Sequence, residues 1–164
     1  MTERILWADT ETYSPLDLKT YGTARYAEEA EVMVWTYALD DGPVQLWDCT
    51  ANPLMPNDLA DALDDDSVLL NFHNSFFDRT VLWATGIRPP IHRFRDTMVK
   101  AMAHSLPGAL EKIGEILKLE EDQKKHKRGK ELIQLFCKPR PRTSKLRRAT
   151  RETHPAEWAE FLAY

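Results

Sequence analysis

The sequence predicts a single α/β domain in which a mixed β-sheet is flanked by helices, and three observations predict it. A short apolar run, Ile5-Leu6-Trp7-Ala8, ends on two carboxylates, Asp9 and Glu11. Two runs rich in β-branched and aromatic residues, 31–39 and 44–49, flank the turn signal Asp40-Asp41-Gly42-Pro43 and so form a hairpin. Beyond residue 67, short apolar strands alternate with segments whose apolar residues recur at helical spacing. At 164 residues the chain has room for one domain with a proper core.

Taken in order, residues 4–9 form the first strand, its end marked by Asp9. Residues 12–26, with Pro15 and Gly22, form an irregular excursion beside the carboxylates. The hairpin follows, and then a short helix over 57–63 from the spacing of Leu59, Ala60 and Leu63. The triplet Asp64-Asp65-Asp66 is its solvated end, because carboxylates at successive positions fan out rather than converge. Residues 67–73 form a buried strand. Residues 75–84 form a helix with Phe77, Val81 and Leu82 on one stripe, closed by Gly86. After Pro89-Pro90 comes a strand over 91–95, and Asp96-Thr97 caps a helix running to His104. Helices over 110–119 and 129–136 follow, then a basic loop to Arg151. A last helix starts at Pro155, with Trp158, Ala159, Phe161 and Leu162 on its apolar stripe.

Composition narrows the function. No apolar run approaches the length of a membrane span, and the N-terminus lacks a signal-peptide core, so no membrane association is expected. Cys49 and Cys137 have no ligand spacing and suggest neither zinc nor a disulfide framework, which fits a reducing cytoplasm. The net charge of -4 hides a segregation: residues 124–151 hold twelve of the 22 Lys and Arg but one of the 26 acids. A basic segment beside an acidic site suits a phosphodiester substrate, although a solvated loop explains it as well.

Strand periodicity puts Asp9 and Glu11 on one face. Two carboxylates that close repel unless a cation lies between them, and hard oxygen donors suit Mg²⁺ or Mn²⁺. By itself the pattern is short, and an ordinary acidic turn also accounts for it. Asp78, one turn into the helix after the strand over 67–73, is the candidate third carboxylate; an acid there also suits the helix dipole. The five histidines, Ser14, Ser75 and both cysteines are assigned no catalytic part.

In this order the residues resemble a known family, the four-carboxylate (DEDD, DnaQ-like) 3′–5′ exonucleases of the ribonuclease H-like fold. The likeness is nearest to the proofreading domain of polymerase I-like DNA polymerases of phage type, tyrosine subgroup. Asp9-Thr10-Glu11 matches the first motif, and Asn74, Phe77 and Asp78 match the second. Tyr164 matches the start of the third, whose final Asp is absent. The segment Gly129-Lys130-Glu131-Leu132-Ile133-Gln134-Leu135-Phe136-Cys137 adds to the likeness, which runs over residues 1–164 and stops within the last motif helix.

The resemblance implies a mixed five-stranded sheet and hydrolysis of DNA from the 3′ end of a single strand, with two Mg²⁺ or Mn²⁺ ions. Asp9 would bridge both ions, Glu11 would ligate the first and Asp78 the second, and Tyr164 would orient the attacking water. Thr12, Leu16, Asn74 and Phe77 would contact the terminal nucleotide. Arg140, Arg142, Arg147 and Arg148 are the candidates for the nucleic-acid backbone. With the fourth carboxylate missing, the chain alone is expected to bind metal weakly and to cleave slowly or not at all. A polymerase domain on the same longer chain is the expected partner, in the cytoplasm of a bacterium or phage-infected host. The rival readings are a non-catalytic nucleic-acid or protein-binding module and an RNA exonuclease of the same fold.

Overall fold

The structure is a computed structural model that describes residues 3–119, 127–141 and 143–164. Five strands form one sheet in the order β3-β2-β1-β4-β5. They are β1 (Arg4–Tyr13), β2 (Glu31–Leu39), β3 (Gln45–Asp48), β4 (Val68–Phe72) and β5 (Phe94–Asp96). β1 runs antiparallel to β2, and β2 to β3, whereas β4 and β5 are parallel to β1. The parallel half requires crossovers, and α2 (Asn57–Asp64) and α3 (Ser75–Thr85) lie in them. The remaining helices are α1 (Leu18–Glu28), α4 (Thr97–Ala103), α5 (Leu110–Ile116), α6 (Lys127–Phe136) and α7 (Pro155–Ala163).

Two boundaries differ from the sequence expectation, and both bear on the site. β1 does not stop at Asp9 but continues to Tyr13, so the carboxylates lie within the strand rather than beyond it. Its pairing partner on β2 steps from Val34 opposite Glu11 to Val32 opposite Thr12, a bulge that leaves Met33 without a counterpart. The expected irregular excursion contains helix α1, capped by Asp17, whose carboxylate accepts from the Thr20 amide at 2.9 Å. Gly22, at φ 75°, interrupts this helix, and that break is what blurred its period in the sequence. A smaller correction falls at 91–95. Ile91–Arg93 is a 3₁₀ turn and only Phe94–Asp96 is strand.

The core divides across the sheet. On one side Leu6, Trp35, Leu70, Phe72, Leu59 and Leu82 pack under α2 and α3. On the other, Tyr13, Met33 and Val34 meet Leu132 and Phe136 of α6 and Trp158 and Phe161 of α7. Phe136 is the hub of the second cluster, its ring centre 4.9 Å from Trp158 and 5.2 Å from Phe161. These aromatic contacts fix α6 and α7 against the carboxylate end of β1, each buried ring contributing about 1.5–3 kcal/mol. Among the described residues no helix is long and apolar enough to cross a membrane.

Candidate active site

Strand alternation sends Asp9 and Glu11 to the face covered by α6 and α7, and Thr10 to the face covered by α3. The Thr10 hydroxyl donates to Asp78 Oδ1 at 2.7 Å, so the third carboxylate is tied to the backbone segment that bears the first two. Asp78 is 3% exposed. Burial pushes its carboxyl up to about 7 against the lowering effect of Thr10, and the negative charges of Asp9 and Glu11 push the same way. The charges of Asp9 and Glu11 on β1 therefore disfavour ionisation of Asp78.

Helix α3 delivers Asp78 from a sharply turned junction. Asn74 adopts the left-handed conformation at φ 69°, and Asp96 at the end of β5 holds it there. Asp96 accepts from the amides of Asn74 at 3.0 Å and Ser75 at 2.7 Å, and from the Ser75 hydroxyl at 3.0 Å. The same carboxylate caps α4 through the Met98 amide at 2.9 Å. Burial raises this carboxyl's pKa, but the donated hydrogen bonds outweigh it and hold the group below its usual range. The sequence indicated the α4 cap; the tie to the second motif, 22 residues back, was not visible.

On the opposite side, the Cys137 thiol donates to Glu11 Oε2 at 3.3 Å. Burial, followed by the charge of Glu11, drives this thiol's pKa upward, so it stays protonated and acts as a donor. No motif announced this contact, because it joins positions 126 apart. Tyr164 closes the same end. Its phenol is shifted up by burial and then by the charges of Glu11 and Asp9, which puts it within electrostatic reach of both. The ring lies against Gly129 of α6 so closely that a Cβ there would fall inside it.

A slot of about 260 Å³ opens beside Glu11. Thr10, Thr12, Leu16 and Phe77 line it together with Tyr26, Ile133, Cys137 and Lys138. Three of the four residues expected to touch a terminal nucleotide thus gather in one largely apolar cavity, and Asn74 is outside its lining. Tyr26 was missed by sequence reading; its phenol meets the Thr12 hydroxyl at 2.9 Å and its ring lies 5.7 Å from that of Phe77.

The expected basic patch is less uniform than the sequence implied. Arg148 is committed within the fold, paired with Glu31 and lying 4.0 Å above the Tyr13 ring. Arg140 reaches His154 Nε2 at 3.5 Å, Arg147 is exposed, and Arg142 lies outside the described residues. Two lysines outside the expected patch, Lys19 and Lys138, line the slot.

The donor set fits a hard divalent cation. Asp9 and Glu11 interact electrostatically with Asp78 around β1, and the soft ligand nearby is a protonated thiol. Among the described residues no group of three or more His, Cys, Asp or Glu side chains is placed so that it could by itself hold a metal ion. An open arrangement is what Mg²⁺ accepts, since it retains waters and takes one or two carboxylates plus substrate phosphate oxygens.

No family model matches the chain. It is 32% identical, over 98% of its length, to a DNA polymerase of Bacillus phage SP02, and it spans 26% of that polymerase. Among solved structures, one described as the apo form of a nuclease matches with a TM-score of 0.51 and 19% identity, over 74% of this chain and 56% of that one. NrnC of Brucella melitensis matches with a TM-score of 0.49 and 18% identity, over 97% and 65%. The chain thus shares the mixed α/β fold of a solved nuclease and is related along its length to part of a phage polymerase.

Proposed function

We propose that this chain, whose comparisons are those of a DnaQ-like exonuclease domain, hydrolyses single-stranded DNA from its 3′ end. The observation that supports this best is the clustering of Asp9, Glu11 and Asp78 at the end of β1, beside a slot of nucleotide size. Asp9, Glu11 and Asp78 would hold two Mg²⁺ or Mn²⁺ ions. Bound there, such ions lower the pKa of a water and stabilise the departing 3′-oxygen. Binding them would also offset the burial, and after it the like charges of Asp9 and Glu11, that raise the Asp78 carboxyl to about 7.

The chain's own residues do the rest. Phe77 and Tyr26 wall the slot in which the terminal base and sugar are held, with Leu16 at its mouth and the Thr12 hydroxyl on the sugar. Tyr164, kept neutral by its raised pKa, donates a hydrogen bond that aims the attacking water. Cys137 fixes one oxygen of Glu11 and so orients its carboxylate. Asn74, at the head of α3, contacts the terminal nucleotide from outside the slot, and Lys138 neutralises a phosphate. On the same reading, Arg140 and Arg147 serve the backbone further along the strand, and a polymerase domain shares the chain, as it does in the phage relative's greater length.

The test is digestion of a 5′-labelled 12-mer in Mg²⁺ or Mn²⁺, run on DNA and on RNA of one sequence. The reading expects a ladder shortening from the 3′ end, stronger on DNA and lost in Asp9→Ala. A ladder on RNA alone would shift the substrate class. One that survives Asp9→Ala would remove the site.

A further inference from the structure

Helix α3 has two faces of opposite chemistry. Asp78, Val81 and Leu82 are buried toward the sheet, whereas Phe76 and Trp83 stand in solvent, 56% and 36% exposed. Positions 76, 79 and 83 fall on one helical stripe. Between the two rings lies Arg79, its guanidinium carbon 5.8 Å from the Phe76 centre and 5.6 Å from the Trp83 centre. Trp83 is held in place, since its indole N–H donates to the Pro89 carbonyl at 3.1 Å. Arg88 extends the stripe, donating to the Trp83 carbonyl at 3.0 Å.

The surroundings set the chemistry of an occupant. Among the described residues neither Arg79 nor Arg88 belongs to an ion pair. The acid of this helix, Asp78, is on the buried face, so the stripe over residues 76, 79 and 83 is cationic on a chain of net charge -4, while Arg88 shares a pocket with Asp64 and Asp66. Exposed rings beside cations that belong to no ion pair among the described residues complement a partner with flat π faces and negative charge. Unpaired bases on a phosphate backbone have both. The stripe belongs to the helix that supplies Phe77 to the slot, and none of its own residues lines that slot.

We propose that Phe76, Arg79 and Trp83 form a stacking platform for the unpaired bases of single-stranded nucleic acid, with Arg79 and Arg88 against its phosphates. The platform takes nucleotides several positions upstream of the one in the slot. Its polarity along the strand rests on the exonuclease reading; its binding of a strand does not.

The test compares oligothymidylates of two and twelve nucleotides, titrated in Ca²⁺ against the whole chain. The double variant F76A/W83L should bind the 12-mer about tenfold more weakly and the dinucleotide equally well. Arg79→Gln should lower the salt slope for the 12-mer by about one. An unchanged 12-mer affinity in both variants overturns the platform. So does an equal loss for both lengths in variants whose melting temperature matches the parent. If the parent shows no hydrolysis while the length-dependent loss stands, the exonuclease reading fails and the platform survives.

Discussion

The hydroxyl of Thr10 donates to Asp78 across 2.7 Å, from the strand that bears Asp9 and Glu11 to the helix that bears the third acid. A single short residue between two carboxylates thus joins the first and second motifs and favours the ionised form of Asp78.

Thr10→Val keeps the shape and removes that donor. The Asp78 carboxyl of the metal-free chain should then titrate higher than about 7, and the acid limb of the pH profile of Mn²⁺ affinity should move to higher pH. Activity near neutrality should fall about tenfold, as expected for the loss of a hydrogen bond to a charged group. An acid limb that does not move would show that Asp78 is not the group titrating.

The metal-free chain should lose stability as pH rises. Asp78 binds its proton more tightly when folded, about 7 against the ordinary 3.8, so its contribution is complete below pH 4 and gone above 7. The difference corresponds to an upper limit of ~4 kcal/mol. Thermal melts in EDTA from pH 4 to 8 should show the decline, Asp78→Asn should flatten it, and Mn²⁺ should restore stability most at the alkaline end.

Gly129→Ala should separate activity from stability. Alanine favours helix over glycine by about 1 kcal/mol, so the melting temperature should hold or rise. The new Cβ occupies the place of the Tyr164 ring, which must move away from Glu11 and Asp9. kcat should fall to the level of Tyr164→Phe with KM little changed. A variant of full activity would detach Tyr164 from the reaction.

Asp96→Ala removes acceptors from two helix starts at once, the amides of Asn74 and Ser75 and that of Met98. With about 1 kcal/mol for each cap and about 1 more for the part-buried hydrogen bonds to this charged acceptor, a loss of ~3 kcal/mol is expected. The melting temperature should drop by roughly 6–12 °C, at about 2–4 °C per kcal/mol. Asn74, released from its left-handed turn, should also carry Asp78 out of register, so metal affinity should weaken in the folded fraction.

Much of this arrangement was legible because local patterns coincide with the fold. The hairpin turn at Asp40–Pro43, the stripe Phe77-Val81-Leu82 and Pro155 at a helix start each express a local preference that tertiary packing keeps. What escaped was non-local or masked by a break. Helix α1 was hidden by the positive φ of Gly22, and β1 was cut short at Asp9 because charged residues were read as its end. Buried contacts between distant positions leave no period. Cys137 on Glu11 and Arg148 on Tyr13 emerge only when α6 and the following loop fold back over β1.

The central claim is that Asp9, Glu11 and Asp78 form one divalent-metal site. The most direct measurement is calorimetric titration of Mn²⁺ into the folded chain at pH 8, beside Asp9→Ala and Asp78→Ala variants confirmed as folded. The account predicts binding in the parent, weakened at least tenfold by either substitution, with protons released as pH falls toward 7. Parent binding that neither substitution alters, or no binding at millimolar Mn²⁺ with a nucleoside monophosphate present, would contradict it.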